Sequence, residues 1–168
     1  MTQCVVVVAD EQSAVVIDGD RWRLLAAKAA EHLGLRGELT LSFIDVDEMA
    51  ALNAEFMEVV GPTDVLAFPL DAADGLGHDV DPPHAADEPV LLGDIVICPE
   101  VARDQATGHA GTVDDELALL VVHGLLHLIG HDHGEARESR AMRTAESDLL
   151  ERFHWMGPAP DGFSFDHR

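Results

Sequence analysis

The chain has 168 residues, 47% of them hydrophobic, with 32 acidic and 10 basic side chains and a formal net charge of −22. This length and apolar content predict one domain with an ordinary buried core and exclude a disordered acidic tail. Such an acidic surface repels phosphate backbones, so it excludes unaided electrostatic capture of nucleic acid as the main mode of action. Two origins of the charge stay open: a GC-rich genome that disfavours lysine, or adaptation to high internal salt, which screens surface repulsion.

The cellular setting is indicated by the cysteines and the apolar runs. Cys4 and Cys98 lie far apart and form no C-x-x-C pair, which favours a reducing, intracellular environment. The apolar run Cys4–Ala9 is too short, and lacks the preceding basic residue, for a signal peptide. The longest apolar stretch, Leu117–Ile129, falls short of the roughly 20 residues of a membrane span. We therefore expect a cytoplasmic protein that does not engage a membrane.

The first part of the chain predicts alternating strands and helices. A continuous apolar run or apolar residues at every second position indicate strands, whereas steps of three and four indicate helices, and Gly34, Gly61 and Pro69 each follow the end of a segment. The predicted elements are a buried strand at Val5–Val8, a helix at Arg21–Leu33 with Asp20 as N-cap, a strand at Glu38–Asp45, a helix at Asp47–Glu58 and a strand at Asp64–Phe68.

The second part begins with a change of composition. Asp, Ala, Gly, Pro and His dominate from Leu70 to Val90, which predicts a long surface loop that is functional or mobile. The elements predicted after it are a central strand at Gly93–Cys98, a short helix from Pro99, a helix from a Thr112 cap to Ile129 with Asp115 as capping-box partner, and an amphipathic helix at Ala136–Phe153. We predict a single domain over residues 1–156 and a loosely ordered tail over residues 157–168.

Three histidines near the end of this sequence predict a metal site. His123 and His127 lie four residues apart on a helix that is apolar all round and hence buried. Two imidazoles in an apolar wall need partners, and one metal ion would satisfy both. Gly130 then allows a sharp turn that brings His133 in as a third ligand. Three protein nitrogens and one open position are typical of a catalytic zinc site, so we predict one Zn²⁺ or similar divalent ion per chain.

The turn that follows the helix holds two further polar residues. Asp132 could orient a ligand imidazole or simply stabilise the turn, and both interpretations stay open; we include it among the catalytic candidates. His131 is interpreted mainly as a solvent-facing turn residue. The spacing H-x-x-x-H-x-x-G-x-x-H also matches the metzincin proteases, but their general-base glutamate is replaced by Gly124. The usual protease mechanism therefore lacks its proton acceptor.

The segment from His123 to His133, HGLLHLIGHDH, resembles the H-G-x-L-H-L-x-G-[YH]-D-H signature of the YbeY family of bacterial metal-dependent endoribonucleases. Three more segments agree in order, namely GPTDVLAFP at 61–69, LLGDIVIC at 91–98 and ELALL at 116–120. The similarity covers roughly Leu39 to Phe153. It implies an α+β domain in which a small mixed sheet packs with helices, similar to a zincin-like metallohydrolase.

The resemblance also implies a function. It implies a zinc site built by His123, His127 and His133, as in members of the family. It also implies a role in maturing the 3′ end of small-subunit (16S) ribosomal RNA and in ribosome quality control. The expected activity is that of a single-strand-specific endoribonuclease, in which the metal polarises a phosphodiester and activates water or the ribose 2′-hydroxyl. The expected partners are ribosomal RNA and the ribosome or ribosomal proteins, not DNA. His109, Asp132 or the substrate itself could move the proton.

This chain departs from the family at two places. Ala67 replaces the serine of the first strand motif, and residues 55–60, EFMEVV, lack the arginine that many members carry there. No lysine or arginine occurs between Arg36 and Arg103. The arginines nearest in sequence to the metal segment are Arg103, Arg137, Arg140 and Arg143. For the last three, a solvated helix face is the favoured interpretation.

Two alternatives stay open. One is a metalloprotease or another small-molecule metallohydrolase. The other is a non-catalytic ribosome-assembly factor in which the metal is mainly structural.

Overall fold

A computed structural model describes residues 4–70, 90–131 and 135–165 of the chain. Its strands are β1 (Cys4–Asp10), β2 (Gly37–Phe43), β3 (Val65–Pro69) and β4 (Leu91–Ile97). Its helices are α1 (Gly19–His32), α2 (Val46–Met57), α3 (Pro99–Ala106), α4 (Val113–Leu128) and α5 (Ala136–Phe153). Residues 71–89, which make up most of the predicted long loop, lie outside the described ranges.

The four strands form one mixed sheet in the order β1-β2-β4-β3. β1 pairs with β2 and β2 with β4 in parallel, whereas β3 runs antiparallel to β4. The last helix has the predicted bounds, and the strand that was predicted to be central, β4, lies between two neighbours. This arrangement of a small mixed sheet with helices confirms the predicted α+β class.

Two predictions about local structure were wrong. β1 is not fully buried: it is an edge strand, so Val5 and Val7 face outward and are exposed while Cys4 and Val6 enter the core. The N-cap of α1 is Asp18 and not Asp20, because the Asp18 carboxylate accepts a hydrogen bond from the Arg21 backbone N–H at 3.3 Å. Asp20 instead lies in the first turn, where a negative charge stabilises the positive end of the helix dipole.

The core is divided between the two faces of the sheet. Alternate side chains of a strand point to opposite faces, and β4 shows this clearly. Ile95 and Ile97 belong to the larger core cluster with α1, α4 and α5, whereas Val96 belongs to a smaller cluster that includes Met49 of α2. Helix α4 contacts α1, α3, α5, β3 and β4. Its burial on nearly all sides confirms the interpretation of its apolar sequence.

Gly124 marks the place where α4 crosses β4. A Cβ atom at this position would lie only 2.6 Å from Cγ2 of Ile95, a distance that side-chain carbons cannot adopt without a shift. A side chain at position 124 would therefore require Ile95 to shift, and glycine lets the helix approach the strand without that shift.

Helix α4 ends at Leu128, and the chain turns at Gly130 with a φ of 94°. Such a left-handed backbone is accessible to glycine at little cost, as the sequence predicted. In the described part of the chain, no helix combines the length and the apolar character that crossing a bilayer requires.

Candidate metal centre

Helix α4 brings two imidazole nitrogens together at the edge of the core. Nε2 of His123 and Nε2 of His127 lie 3.0 Å apart, and the ring planes are inclined at 74° with their centroids 4.5 Å apart. A tetrahedral ion with bonds of about 2.0–2.1 Å would hold two ligand nitrogens about 3.3 Å apart. The two rings therefore already converge on one point, as the predicted spacing of four residues requires.

A carboxylate on α5 fixes the first of these histidines. Oε1 of Glu146 lies 2.6 Å from Nδ1 of His123. Only 5% of the Glu146 side chain and 19% of the His123 side chain are exposed. A buried carboxylate accepts a hydrogen bond from Nδ1–H, which leaves a lone pair on Nε2, and this pairing is the usual support of a metal-binding histidine. The donor set therefore fits a divalent metal ion.

Sequence reasoning missed Glu146, although the sequence holds a signal for it. Met142, Leu149 and Leu150 are buried on one face of α5, and Glu146 lies on that same face with 4% exposure. A charged residue within the apolar stripe of a helix needs a buried partner. His123 is that partner.

The remaining predicted site residues fall into two groups. His133 and Asp132 lie outside the described residues, so their roles stay predictions. The described residues alone contain no group of three or more metal-ligating side chains. His131 is described, and it lines a shallow depression with Glu138 that is separate from the cavities at His123.

Two cavities meet at His123. One, of about 250 Å³, lies between α4 and α5 and is lined by residues that include Ser139, Arg143 and Phe165. The other, of about 420 Å³, lies along β3 and is lined by residues that include Gly124 and His127. His123, Asp64 and Val65 line both. The convergent histidine nitrogens therefore face space that a substrate can enter.

Asp64 is a second residue that sequence reasoning did not select for the site. Its Oδ1 accepts hydrogen bonds from the Val65 N–H at 2.8 Å and the Thr63 hydroxyl at 3.3 Å. Its Oδ2 accepts a hydrogen bond from the Gln105 amide at 2.8 Å. Three donors thus hold the carboxylate at the wall shared by the two cavities.

Gln105 connects Asp64 to a buried pair behind the site. The same amide nitrogen lies 2.7 Å from Oε1 of Glu116, and Nδ1 of His109 lies 2.8 Å from both carboxylate oxygens of Glu116. Glu116 is fully buried and His109 is 5% exposed. His109, a candidate for proton movement, is therefore connected to the cavities through Glu116, Gln105 and Asp64 and does not line them.

The four candidate arginines are placed differently. Arg103 donates to the Ala14 carbonyl at 3.3 Å and pairs with Glu100 and Asp104 on its own helix. Arg137 and Arg140 are exposed and line neither cavity at His123. Arg143 does line the cavity between α4 and α5. Arg143 is also exposed to solvent, which agrees with its interpretation as part of a solvated helix face.

Comparison with known proteins places the chain in a family. The family model described as endoribonuclease YbeY matches residues 8–154. A protein named endoribonuclease YbeY from Salinispora tropica is 44% identical over 144 residues, which cover 83% of this chain and 90% of that relative. One of the same name from Cutibacterium acnes is 44% identical over 128 residues, or 75% and 79% of the two chains.

A solved structure agrees with these matches. The solution structure of TM1509 from Thermotoga maritima is similar with a TM-score of 0.60 and 25% identity, covering 90% of this chain and 91% of that one. The resemblance seen in the motifs and the predicted zincin-like fold class are thereby confirmed. The chain belongs to the endoribonuclease YbeY family.

Proposed function

We propose that this protein is a zinc-dependent endoribonuclease that cleaves single-stranded RNA, with His123, His127 and His133 as the metal ligands. The main support is the convergence of the His123 and His127 Nε2 atoms, 3.0 Å apart, with Glu146 on the far nitrogen of His123. Membership of a family named for endoribonuclease activity gives the substrate class. The proposed biological role is maturation of the 3′ end of small-subunit (16S) ribosomal RNA and ribosome quality control.

The chemistry is divided between the ion and the protein. When bound, a divalent ion supplies Lewis-acid polarisation of the phosphodiester and activation of the attacking oxygen. Glu146 holds the His123 ring in the tautomer and orientation that binding requires. Asp64 is fixed beside the histidines by three donors and shapes the wall against which substrate lies. Asp132, His109 or the substrate moves the proton.

The negative charge of the protein affects how it can reach an RNA substrate. A net charge of −22 opposes association with a polyanion. A ribosome or ribosomal protein that presents the RNA would replace the missing long-range attraction. We therefore propose that the cytoplasmic ribosome is the working partner and that it delivers a single-stranded segment to the cavities at His123.

The metalloprotease alternative has lost support. Its glutamate base would have to occupy position 124, which is glycine in this chain, and a Cβ atom there would lie 2.6 Å from Cγ2 of Ile95 unless that side chain shifted. The assembly-factor alternative makes a different prediction, because a structural metal would be needed for folding.

One variant series tests the proposal. His123→Ala and the matched control His131→Ala each remove one imidazole, the first from the site and the second from a separate depression. We expect the wild type and His131→Ala to hold one zinc ion per chain and to cleave single-stranded RNA, with both properties lost on chelation. We expect His123→Ala to lose zinc and cleavage while it still melts cooperatively.

Metal analysis, an RNA cleavage assay and a melting curve supply the readouts. An unfolded His123→Ala protein would support the structural-metal alternative. A zinc-loaded wild type that cleaves peptides but no RNA would reject the endoribonuclease assignment.

A further inference from the structure

One face of α5 forms a wall of the cavity at His123. Ser139, Met142, Arg143 and Glu146 all line it, at the steps of three and four residues that share one helix face. Glu146 shows where this face points, because its carboxylate contacts the His123 ring at 2.6 Å. Arg143, an exposed residue one turn before Glu146, lines the same cavity as His123.

The segment after α5 supplies an aromatic ring to the same cavity. The Ser164 N–H donates to the His109 carbonyl at 3.1 Å, which ties this segment to the turn before α4. Trp155, Phe163 and Phe165 then form a series of edge-to-face contacts, with 4.7 Å between the centroids of each successive pair. Phe165 is half-buried against the core and lines the cavity together with Arg143 and His123.

Arg143 differs from the other residues of these cavities in its charge. Among the described residues that line the two cavities at His123, Arg143 is the one whose positive charge is permanent. Arg103 is directed to the Ala14 carbonyl and to acids of its own helix. A guanidinium and an aromatic ring on the walls of one cavity can together bind a nucleotide of a single strand, since the cation binds the phosphate and the ring stacks on the base.

We propose that Arg143 and Phe165 form a nucleotide subsite next to the metal centre, with Arg143 on a phosphate of single-stranded RNA and Phe165 under a base. This subsite rests on the proposed endoribonuclease function. It also assigns a substrate-binding role to the segment after α5. The α5 arginine supplies a cation in a chain whose residues 37–102 contain neither lysine nor arginine.

The test compares steady-state RNA cleavage by zinc-loaded variants. Arg143→Gln removes the proposed phosphate contact, and Arg140→Gln removes an equal charge one turn away, outside the cavity. Phe165→Leu keeps an apolar side chain against the core but removes the stacking surface. The substrate is a short single-stranded oligoribonucleotide at several salt concentrations, and zinc content and melting temperature serve as checks on each protein.

We expect Arg143→Gln and Phe165→Leu each to raise KM about tenfold, with a smaller change in kcat, because a binding contact is lost. Arg143→Gln should also reduce the slope of log KM against log salt by about 0.7, the contribution of one phosphate in a single strand. Neither Phe165→Leu nor Arg140→Gln should reduce this slope.

Two results would contradict the proposed subsite, and only the second would also contradict the endoribonuclease function. If the wild type cleaves RNA and Arg143→Gln matches Arg140→Gln in KM and in salt slope, the subsite is wrong while the endoribonuclease function stands. If the zinc-loaded wild type cleaves no single-stranded RNA, both proposals fail together.

Discussion

Glu146 adds to the two predicted metal-binding histidines a carboxylate that orients one of them. The spacing of His123 and His127 could be recognised from sequence because four residues make about one helical turn. The carboxylate that orients His123 comes from a separate helix, 23 residues later. Local periodicity can identify Glu146 as a misplaced charge in an apolar stripe, but only the packing of α4 on α5 identifies its partner.

We predict that Glu146→Gln weakens zinc binding by about 10- to 100-fold, because an amide supports a ligand imidazole less well than a carboxylate does. The affinity is measured by competition with a chelator of known strength. Glu138→Gln is the matched control, as it makes the same change on an exposed position of the same helix.

Equal zinc affinities for the two variants would show that Glu146 does not support the metal site. The melting temperature of the metal-free proteins separates this effect from a general loss of stability, since a structural role would lower it without zinc as well.

For the helices, local sequence patterns predicted the ends of each helix better than they predicted the contacts between helices. Thr112 caps α4 as predicted, because its hydroxyl accepts a hydrogen bond from the Asp115 N–H at 3.1 Å. The Asp115 side chain, predicted only as a capping partner, has a second use. Its Oδ1 accepts hydrogen bonds from Nε2 of His154 at 2.7 Å and Nε1 of Trp155 at 2.8 Å. The carboxylate thus joins the start of α4 to the end of α5, a contact over 40 residues that no local pattern contains.

This junction predicts a pH-dependent contribution to stability. Burial raises the pKa of Asp115, but hydrogen bonds from Trp155, His154 and Thr112 outweigh it and bring the pKa below its ordinary value of 3.8. A lowered pKa in the folded state means that the contribution is complete well above pH 3.8. It is lost as the pH falls through the lowered value.

We predict that Asp115→Asn lowers the free energy of unfolding by about 1–3 kcal/mol at pH 7 and that the difference from wild type shrinks as the pH falls below 3.8. Urea unfolding at a series of pH values measures it. Asp114→Asn is the control, because Asp114 is 61% exposed in its pair with Arg21 and such surface pairs contribute about 0–1 kcal/mol. A constant difference between wild type and Asp115→Asn down to pH 3 would contradict the role given to the ionised carboxylate.

For the whole molecule, the sequence predicted the class of fold because its strongest patterns agree with the packing. The apolar residues around His123 and His127 require a buried helix, and α4 is enclosed by other helices and the sheet. The edge position of β1 was not predictable, since an all-valine run fits a central strand as well as an edge strand with one covered face. Strand order depends on contacts between distant segments, which a linear pattern does not contain.

The net charge of −22 acts on the molecule as a whole and predicts its response to salt. At low ionic strength, repulsion among the acids opposes the compact state, whereas the Debye length falls from about 10 Å at 0.1 M to about 3 Å at 1 M. We therefore expect the melting temperature at pH 7 to rise with KCl, most steeply at the lowest concentrations. The control is the same series near pH 4.4, the isoelectric point, where net repulsion vanishes and the steep initial rise should disappear.

The same measurement separates the two origins of the charge. A protein adapted to high internal salt should keep gaining stability toward 1 M and beyond, whereas an acidity that reflects only genome composition should give a plateau once repulsion is screened. A melting temperature that does not change with KCl at pH 7 would show that the acidic side chains are too widely spaced for their repulsion to affect folding.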